Sequence, residues 1–211
     1  CATPATRGGQ TPLADGRRVL SRLSPDLRDR MAQHGLLYVR NFTGGLDVAW
    51  QEFFRTEERA EAEQRMAESG AQWEWLDGGG LRMQRRGPAV LAHPETNEAV
   101  FFNQMLAHHV SRLEAGVRDS LLGLFGERGL PRNVYYGDGE RITDEEVEEV
   151  VAAYEAEAVE FPWERGDVLL VENMLVAHGR RAYEGERKIL VAMGRMFQQS
   201  DARSIAAVPG A

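Results

Sequence analysis

Cysteine is nearly absent from this chain. Cys1 is the only one, so no internal disulfide can form. A reducing, cytoplasmic setting fits that. No base is paired with Cys1 to activate it as a nucleophile. Positive charge is also short: 25 basic side chains face 33 acidic ones, for a formal net charge of -8. A nucleic-acid binder needs a basic face to neutralise phosphates, so that class is excluded. No apolar run approaches the roughly 20 residues that span a bilayer, and no signal-peptide pattern opens the chain. Internal repeats and low-complexity linkers are missing as well. What remains is a 211-residue chain that is 43% hydrophobic, enough for one sizeable domain.

The patterning predicts helix over residues 17–34, with a second start at Ser24-Pro25. A short strand follows at Leu36 to Arg40, closed by Asn41 and Gly44-Gly45. Residues 46–69 read as two polar helices. Gln72 to Trp75 and Leu81 to Arg85 form a hairpin around Gly78-Gly79-Gly80. Residues 99–103 read as a strand, 111–126 as helix, and Tyr135 to Gly139 as a turn. Thr143 caps an acidic helix to about Ala156, with Glu146 at the capping-box position, and its acids read as a solvated face. Strands are expected over 157–161, 167–172 and 187–196. Strands punctuated by turns, with helices as insertions at 46–69 and 143–156, indicate a mainly β, α+β sandwich or jelly roll in a single domain, 1–211.

The chemistry concentrates in Trp163 to Arg180. Arg165-Gly166-Asp167 turns into an apolar strand that delivers Glu172-Asn173, and His178 follows a short bend. Arg187 comes nine residues later. A neutral imidazole is a good Fe(II) ligand, and two histidines with one carboxylate on one face leave three coordination positions open. A guanidinium fork matches a carboxylate in two charge-assisted hydrogen bonds. On the residues alone, His178 is either such a ligand or a strand-end imidazole.

Four segments, in order, resemble the TauD/TfdA (taurine dioxygenase-like) family. Pro4-Ala5-Thr6-Arg7-Gly8-Gly9-Gln10-Thr11 resembles its Pro-Ala-x-x-Gly-Gly-x-Thr segment. Pro88 to Thr96 with Phe101-Phe102-Asn103 resembles its His-Pro-x-Thr-Gly hairpin and aromatic strand. Trp163 to Arg180, then Tyr183 to Arg187, resembles its terminal motif. Tyr135 to Gly139 and His178-Gly179-Arg180 are similar to the syringomycin-type (SyrP-like) branch, whose members hydroxylate amino acids for peptide natural products such as antibiotics.

The resemblance implies a double-stranded β-helix (jelly roll), incomplete at the N-terminus, that uses Fe(II) and 2-oxoglutarate. It assigns His178 to the distal iron ligand and gives Arg187 and Thr11 the far carboxylate of 2-oxoglutarate. His109 resembles a family position near the active-site mouth, with a packed or solvated histidine as the alternative, while Asn103 and Gln104, at the end of an expected inner strand, either line the substrate pocket or make strand-end hydrogen bonds. The expected reaction is hydroxylation of an unactivated C–H bond of an amino acid, free or tethered to a carrier protein. The family's first two ligands, His-x-Asp or His-x-Glu, precede the segment at which this chain starts. They are therefore expected upstream of Cys1, and the 211 residues alone are expected to be inactive and poorly soluble. His93-Pro94-Glu95 matches His-x-Glu in letters but falls on a hairpin turn, a poor holder of metal. Glu172 stands where the family has Asp. Val191 replaces a sulfonate-binding arginine, which argues against taurine. Two alternatives stay open: a non-catalytic jelly roll that binds a small carboxylate, and a halogenase if the upstream carboxylate is Gly or Ala.

Overall fold

Local signals set the order of elements in the computed structural model, which describes residues 1–194 and 203–205. The elements are β1 (Arg7–Gly8), β2 (Leu13–Asp15), α1 (Gly16–Arg22), α2 (Pro25–His34), β3 (Leu36–Phe42), α3 (Trp50–Phe54), α4 (Arg59–Glu68), β4 (Gln72–Trp75) and β5 (Leu81–Gly87). They continue with β6 (Val90–Ala92), β7 (Ala99–Phe101), α5 (Met105–His108), α6 (Ala115–Phe125), β8 (Arg132–Tyr136), α7 (Asp144–Glu157), β9 (Val176–His178), β10 (Tyr183–Glu184) and β11 (Arg203–Ser204). The chain divides into two units. One holds Cys1–Gln33, Val90–Phe102 and the described part of Glu148–Ala211, the other His34–Ala89 and Asn103–Val147. No helix among the described residues is long and apolar enough to cross a membrane.

In the first unit, Asp15 caps α1 by accepting the Arg17 N–H at 2.9 Å, and its carboxylate also pairs with the Arg17 guanidinium. The helix stops at Leu23, before Ser24-Pro25, and Pro25 takes the first position of α2, where its missing N–H costs nothing. Gly16 lets α1 close on β7: a side chain there would press on Val100 Cγ1 at 2.8 Å. β6 and β7 form a hairpin, and β11 adds to β6. β1 pairs with β10 and β2 with β9, both antiparallel. The inner face of α7 here buries Val150 and Ala153. Its acids are not all solvated, as the charge pattern predicted. Glu157 is only 7% exposed, between Arg18 and Arg22, and Glu149 accepts from the Ser24 amide and hydroxyl.

The three late strands differ from expectation. Residues 157–161 contribute only a bridge, in which Val159 and Leu13 exchange two hydrogen bonds of 2.8 Å. Residues 167–172 join no ladder, although exposure alternates along them and Val168 and Leu170 stand 93% and 96% exposed. In the third, Lys188 bridges to Thr3 and the residues to 194 form no strand, while 195–196 lie outside the described residues. The period of two is present, but a strand needs a partner to satisfy its N–H and C=O groups, and the described residues offer none at these edges.

The second unit is a four-stranded antiparallel sheet in the order β4-β5-β3-β8. β8 was not foreseen: Tyr135-Tyr136 end a strand, and the turn is confined to the residues after them. Gly35, at φ +62, ends α2 in the left-handed conformation and turns the chain into β3. At one end of the sheet, Phe42 and Leu81 pack with Trp50, Phe54, Ala62 and Met66 from α3 and α4. Asp47 locks the loop before α3. It takes both Arg132 donors at 2.6 and 2.7 Å, an Arg40 donor at 3.0 Å and the Val48 N–H at 2.8 Å. Those contacts, Arg132 first, hold its carboxyl well below the usual carboxylate range, against the opposing effect of burial. Thr143 and Glu146 form the expected capping box of α7, each accepting the other's N–H.

Two predictions follow from this packing. At Gly137 an added Cβ would fall onto the His34 carbonyl oxygen, whereas at Gly123, inside α6, it meets nothing. Gly137→Ala is expected to cost about 3 kcal/mol, and Gly123→Ala to stabilise by up to about 1 kcal/mol, read as opposite shifts of the urea midpoint. The depressed Asp47 pKa means that its contribution is complete above the unfolded carboxyl value of about 4 and fades as pH falls below it. Asp47→Asn should lose about 2 kcal/mol at pH 7, and its stability should fall less steeply than wild type between about pH 4 and pH 2. Parallel acid profiles would contradict this assignment.

Candidate active site

The first unit brings Thr11, His178 and Arg187 against one short stretch of chain, residues 9–13. Backbone hydrogen bonds fix that stretch along the terminal motif. Gly9 N–H donates to Ala182 C=O at 3.0 Å, Arg181 N–H to Gln10 C=O at 3.0 Å, and Gly179 N–H to Pro12 C=O at 3.1 Å. Leu13 is then the cross-strand partner of His178. Fully extended, five residues span at most about 18 Å, so the three side chains share a small region.

The glycine pair makes this closeness possible. Gly8 and Gly9 both have φ +72. A Cβ on Gly8 would collide with the Ala182 carbonyl oxygen, and one on Gly9 would press on Arg187 Cδ at 3.0 Å and Nε at 3.1 Å. In the sequence Gly8-Gly9 stand as letters of the resemblance; in the fold they admit the arginine.

Each side chain keeps a function free. Arg187 Nε donates to the Gly9 carbonyl at 3.1 Å, which aims the guanidinium, and its two Nη atoms make no hydrogen bond to the described residues. Its guanidinium carbon lies 5.7 Å from the centre of the Tyr183 ring, and that of Arg180 lies 5.3 Å from the same ring. Thr11 is 8% exposed, and its Oγ1 accepts the Trp163 indole N–H at 2.9 Å. That bond fixes the hydroxyl and leaves its hydrogen to donate. Trp163 and Tyr183 were part of the motif by letter, but no sequence signal gave them these roles. His178 ends β9 with an exposed ring that makes no hydrogen bond to the described residues. Arg187 lies outside any strand, next to the Lys188 bridge, and not on the strand predicted for it.

The described residues contain no group of three or more His, Cys, Asp or Glu side chains placed to hold a metal ion. They offer one imidazole at this place, not a complete facial set. His93 is not a substitute. It is buried in the β6–β7 turn, and its Nδ1 accepts the Thr96 N–H at 3.2 Å.

The other predicted residues lie in the second unit. Asn103 Nδ2 donates to Ala89 C=O and Asn103 Oδ1 accepts the Met105 N–H, both at 3.1 Å, which starts α5. The Gln104 side chain is exposed, and its N–H donates to the Tyr38 hydroxyl at 3.1 Å. His109 is buried, with Nε2 donating to Ile142 C=O at 3.1 Å and Nδ1 accepting the Ser111 N–H at 3.2 Å. Burial pushes its pKa down against the pull of that carbonyl, so the ring is neutral. It lines a cavity of about 490 Å³ with Arg118, Leu122, Tyr135 and Arg141.

The model of the family described as taurine catabolism dioxygenase TauD, TfdA family matches residues 1–193. The chain is 42% identical to the dapdiamide synthesis protein DdaC of Enterobacter agglomerans over 189 residues, 90% of this chain and 57% of that protein. It is 31% identical to a clavaminate synthase-like protein of Arabidopsis thaliana over 204 residues, 92% of this chain and 58% of the relative. The chain thus spans a little under three-fifths of the relatives it matches. A match over nearly the whole chain establishes that this chain belongs to the TauD/TfdA family.

Proposed function

We propose that this chain is part of an Fe(II)- and 2-oxoglutarate-dependent dioxygenase that hydroxylates an unactivated C–H bond of an amino acid, free or tethered to a carrier protein. The observation that carries this reading is the convergence of Thr11, His178 and Arg187 on residues 9–13. The relative's role in dapdiamide synthesis and the resemblance of the other to clavaminate synthase support small-molecule biosynthesis. In the overall reaction, substrate C–H, O2 and 2-oxoglutarate give C–OH, succinate and CO2. Iron, when bound, supplies the oxygen chemistry. The residues of this chain position the co-substrate. Arg187 turns its two free Nη donors to the distal carboxylate, where a fork gives direction as well as charge. Thr11, held by Trp163, adds a hydroxyl donor to the same group. His178 is proposed as one iron ligand.

The remaining ligands are proposed to lie upstream, as His-x-Asp or His-x-Glu roughly 15–25 residues before Cys1. A Gly or Ala at the carboxylate position would point to halogenation, and an upstream sequence without the histidine would overturn the iron assignment. Two measurements test the roles of this chain. Residues 1–211 alone should show no tight one-to-one Fe(II) complex by anaerobic calorimetry. In the longer polypeptide, Arg187→Gln should raise KM for 2-oxoglutarate by about 10- to 100-fold, measured by succinate release. A KM unchanged within twofold would remove Arg187 from the co-substrate site.

A further inference from the structure

Two segments of the first unit carry a pattern that the co-substrate residues leave unexplained. Val168 to Val171 and Ile189 to Met193 are continuous apolar runs. Such runs belong to strands covered on both faces. Here Val168, Leu170, Leu190, Val191 and Met193 are largely or almost wholly exposed. No main-chain N–H or C=O of residues 168–171 or 189–194 makes a hydrogen bond to the described residues.

The first residues of the chain lie between these two segments. Gly166 N–H donates to Cys1 C=O at 2.9 Å, and Cys1 N donates to Asp167 C=O at 2.6 Å. Cys1 thus stands opposite two residues, and Gly166 has φ +94. That is an antiparallel β-bulge with a left-handed glycine at its first position. Ala2 and Thr3 face the other way. Their N–H groups both donate to Lys188 C=O, at 2.9 and 3.1 Å, and Lys188 N–H returns to Thr3 C=O at 2.8 Å. That is a second antiparallel bulge, with two residues against Lys188. Residues 1–3 are therefore the end of a strand held from both edges.

Followed backwards from Cys1, which lies opposite Ile189, the two bulges set the register. The residue before Cys1 falls between Val168 and Leu190, and the second between Leu169 and Val191. The third falls between Leu170 and Ala192, and the fourth between Val171 and Met193. Directly opposite residues share a face. Val168 with Leu190 and Leu170 with Ala192 come out on one face, and all four are exposed.

We propose that the residues immediately preceding Cys1 in the longer polypeptide form the central strand between 168–171 and 190–193, antiparallel to both. The relatives have chain to supply it, since this chain spans under three-fifths of their length. Its main chain satisfies both edges, and its side chains pack beside the apolar residues on both faces. A strand paired on both sides has no place for proline. This inference goes beyond the oxygenase reading and shares with it only the premise of an upstream segment.

The test is disulfide trapping in the longer polypeptide, with Cys1 and any upstream cysteine replaced by serine. In a non-hydrogen-bonded antiparallel pair the Cα atoms lie about 4.5 Å apart, within reach of a disulfide. The register makes such pairs of the residue before Cys1 with Val168, and of the second residue before it with Val191. A cysteine at the first position with Val168→Cys should close on oxidation, with loss of both free thiols and an intramolecular bridge in the peptide map. A cysteine at the second with Val191→Cys should do the same. A cysteine at the second with Val168→Cys puts the two side chains on opposite faces and should keep both thiols. Circular dichroism and the urea midpoint under reducing conditions verify that each variant is folded. Folded matched pairs that stay reduced would overturn the proposal, as would equal closure of the shifted pair or a proline among the four preceding residues. A bridge between two molecules would assign these edges to a second copy of the chain and overturn it too. An intramolecular bridge in a protein that releases no succinate would sink the oxygenase reading and leave this strand standing. Succinate release with both matched pairs reduced would do the reverse.

Discussion

The geometry of the first unit depends on one antiparallel contact, that of residues 9–13 with residues 178–187. Its hydrogen bonds are ordinary in length, 3.0 to 3.1 Å, and each contributes only about 1 kcal/mol. Their importance is positional. They place a buried hydroxyl, an exposed imidazole and a half-buried guanidinium along one short strip, and they do so from opposite ends of the sequence. Gly8 and Gly9 are the steric condition for it, because any side chain on them would meet the backbone of Ala182 or the side chain of Arg187. Trp163 completes the arrangement by giving the Thr11 oxygen a partner at a place where an unsatisfied hydroxyl would be costly.

The neighbouring histidines of the second unit show how the same side chain is put to different uses by local carbonyls. His109 donates through Nε2 to Ile142 and accepts through Nδ1 from Ser111, so both of its nitrogens are occupied and it ties two loops together. His108 donates through Nδ1 to Gln104 and retains a lone pair on the other nitrogen. Burial keeps both neutral. The adjacent residues therefore carry opposite tautomers, each set by the carbonyl it faces.

Much of the fold was legible where the signal is local. The break at Ser24-Pro25, the Thr143–Glu146 capping box and the hairpin of β4 and β5 rest on proline geometry, reciprocal N–H acceptance and alternation, all of which act within a few residues. Strands failed where partnership decides. Residues 167–172 have the right period and no ladder, and β8 was hidden because its two tyrosines read as part of a turn. At the candidate site, His178, Arg187 and Thr11 were legible as motif letters, but their shared contact with residues 9–13 was not. Periodicity cannot reveal a pairing between segments so far apart. The edge-on contact of Tyr38 and His108 was invisible for the same reason: it depends on a loop that folds back through Gln104.

The bond from Arg187 Nε to the Gly9 carbonyl joins residues 178 positions apart, and so bears on how the molecule is assembled. The entropy of closing so long a loop grows only with the logarithm of its length, so the equilibrium penalty is modest. The kinetic consequence is larger, since contacts between distant segments form slowly. On the ribosome, every strand of the β3 sheet has been synthesised by Tyr136, while β2 has only the bridge from Leu13 to Val159 until its ladder partner, from Val176, emerges. The strip that holds Thr11, His178 and Arg187 therefore takes shape only after the β3 sheet is complete, and a nascent chain arrested before that point carries the threonine without the imidazole.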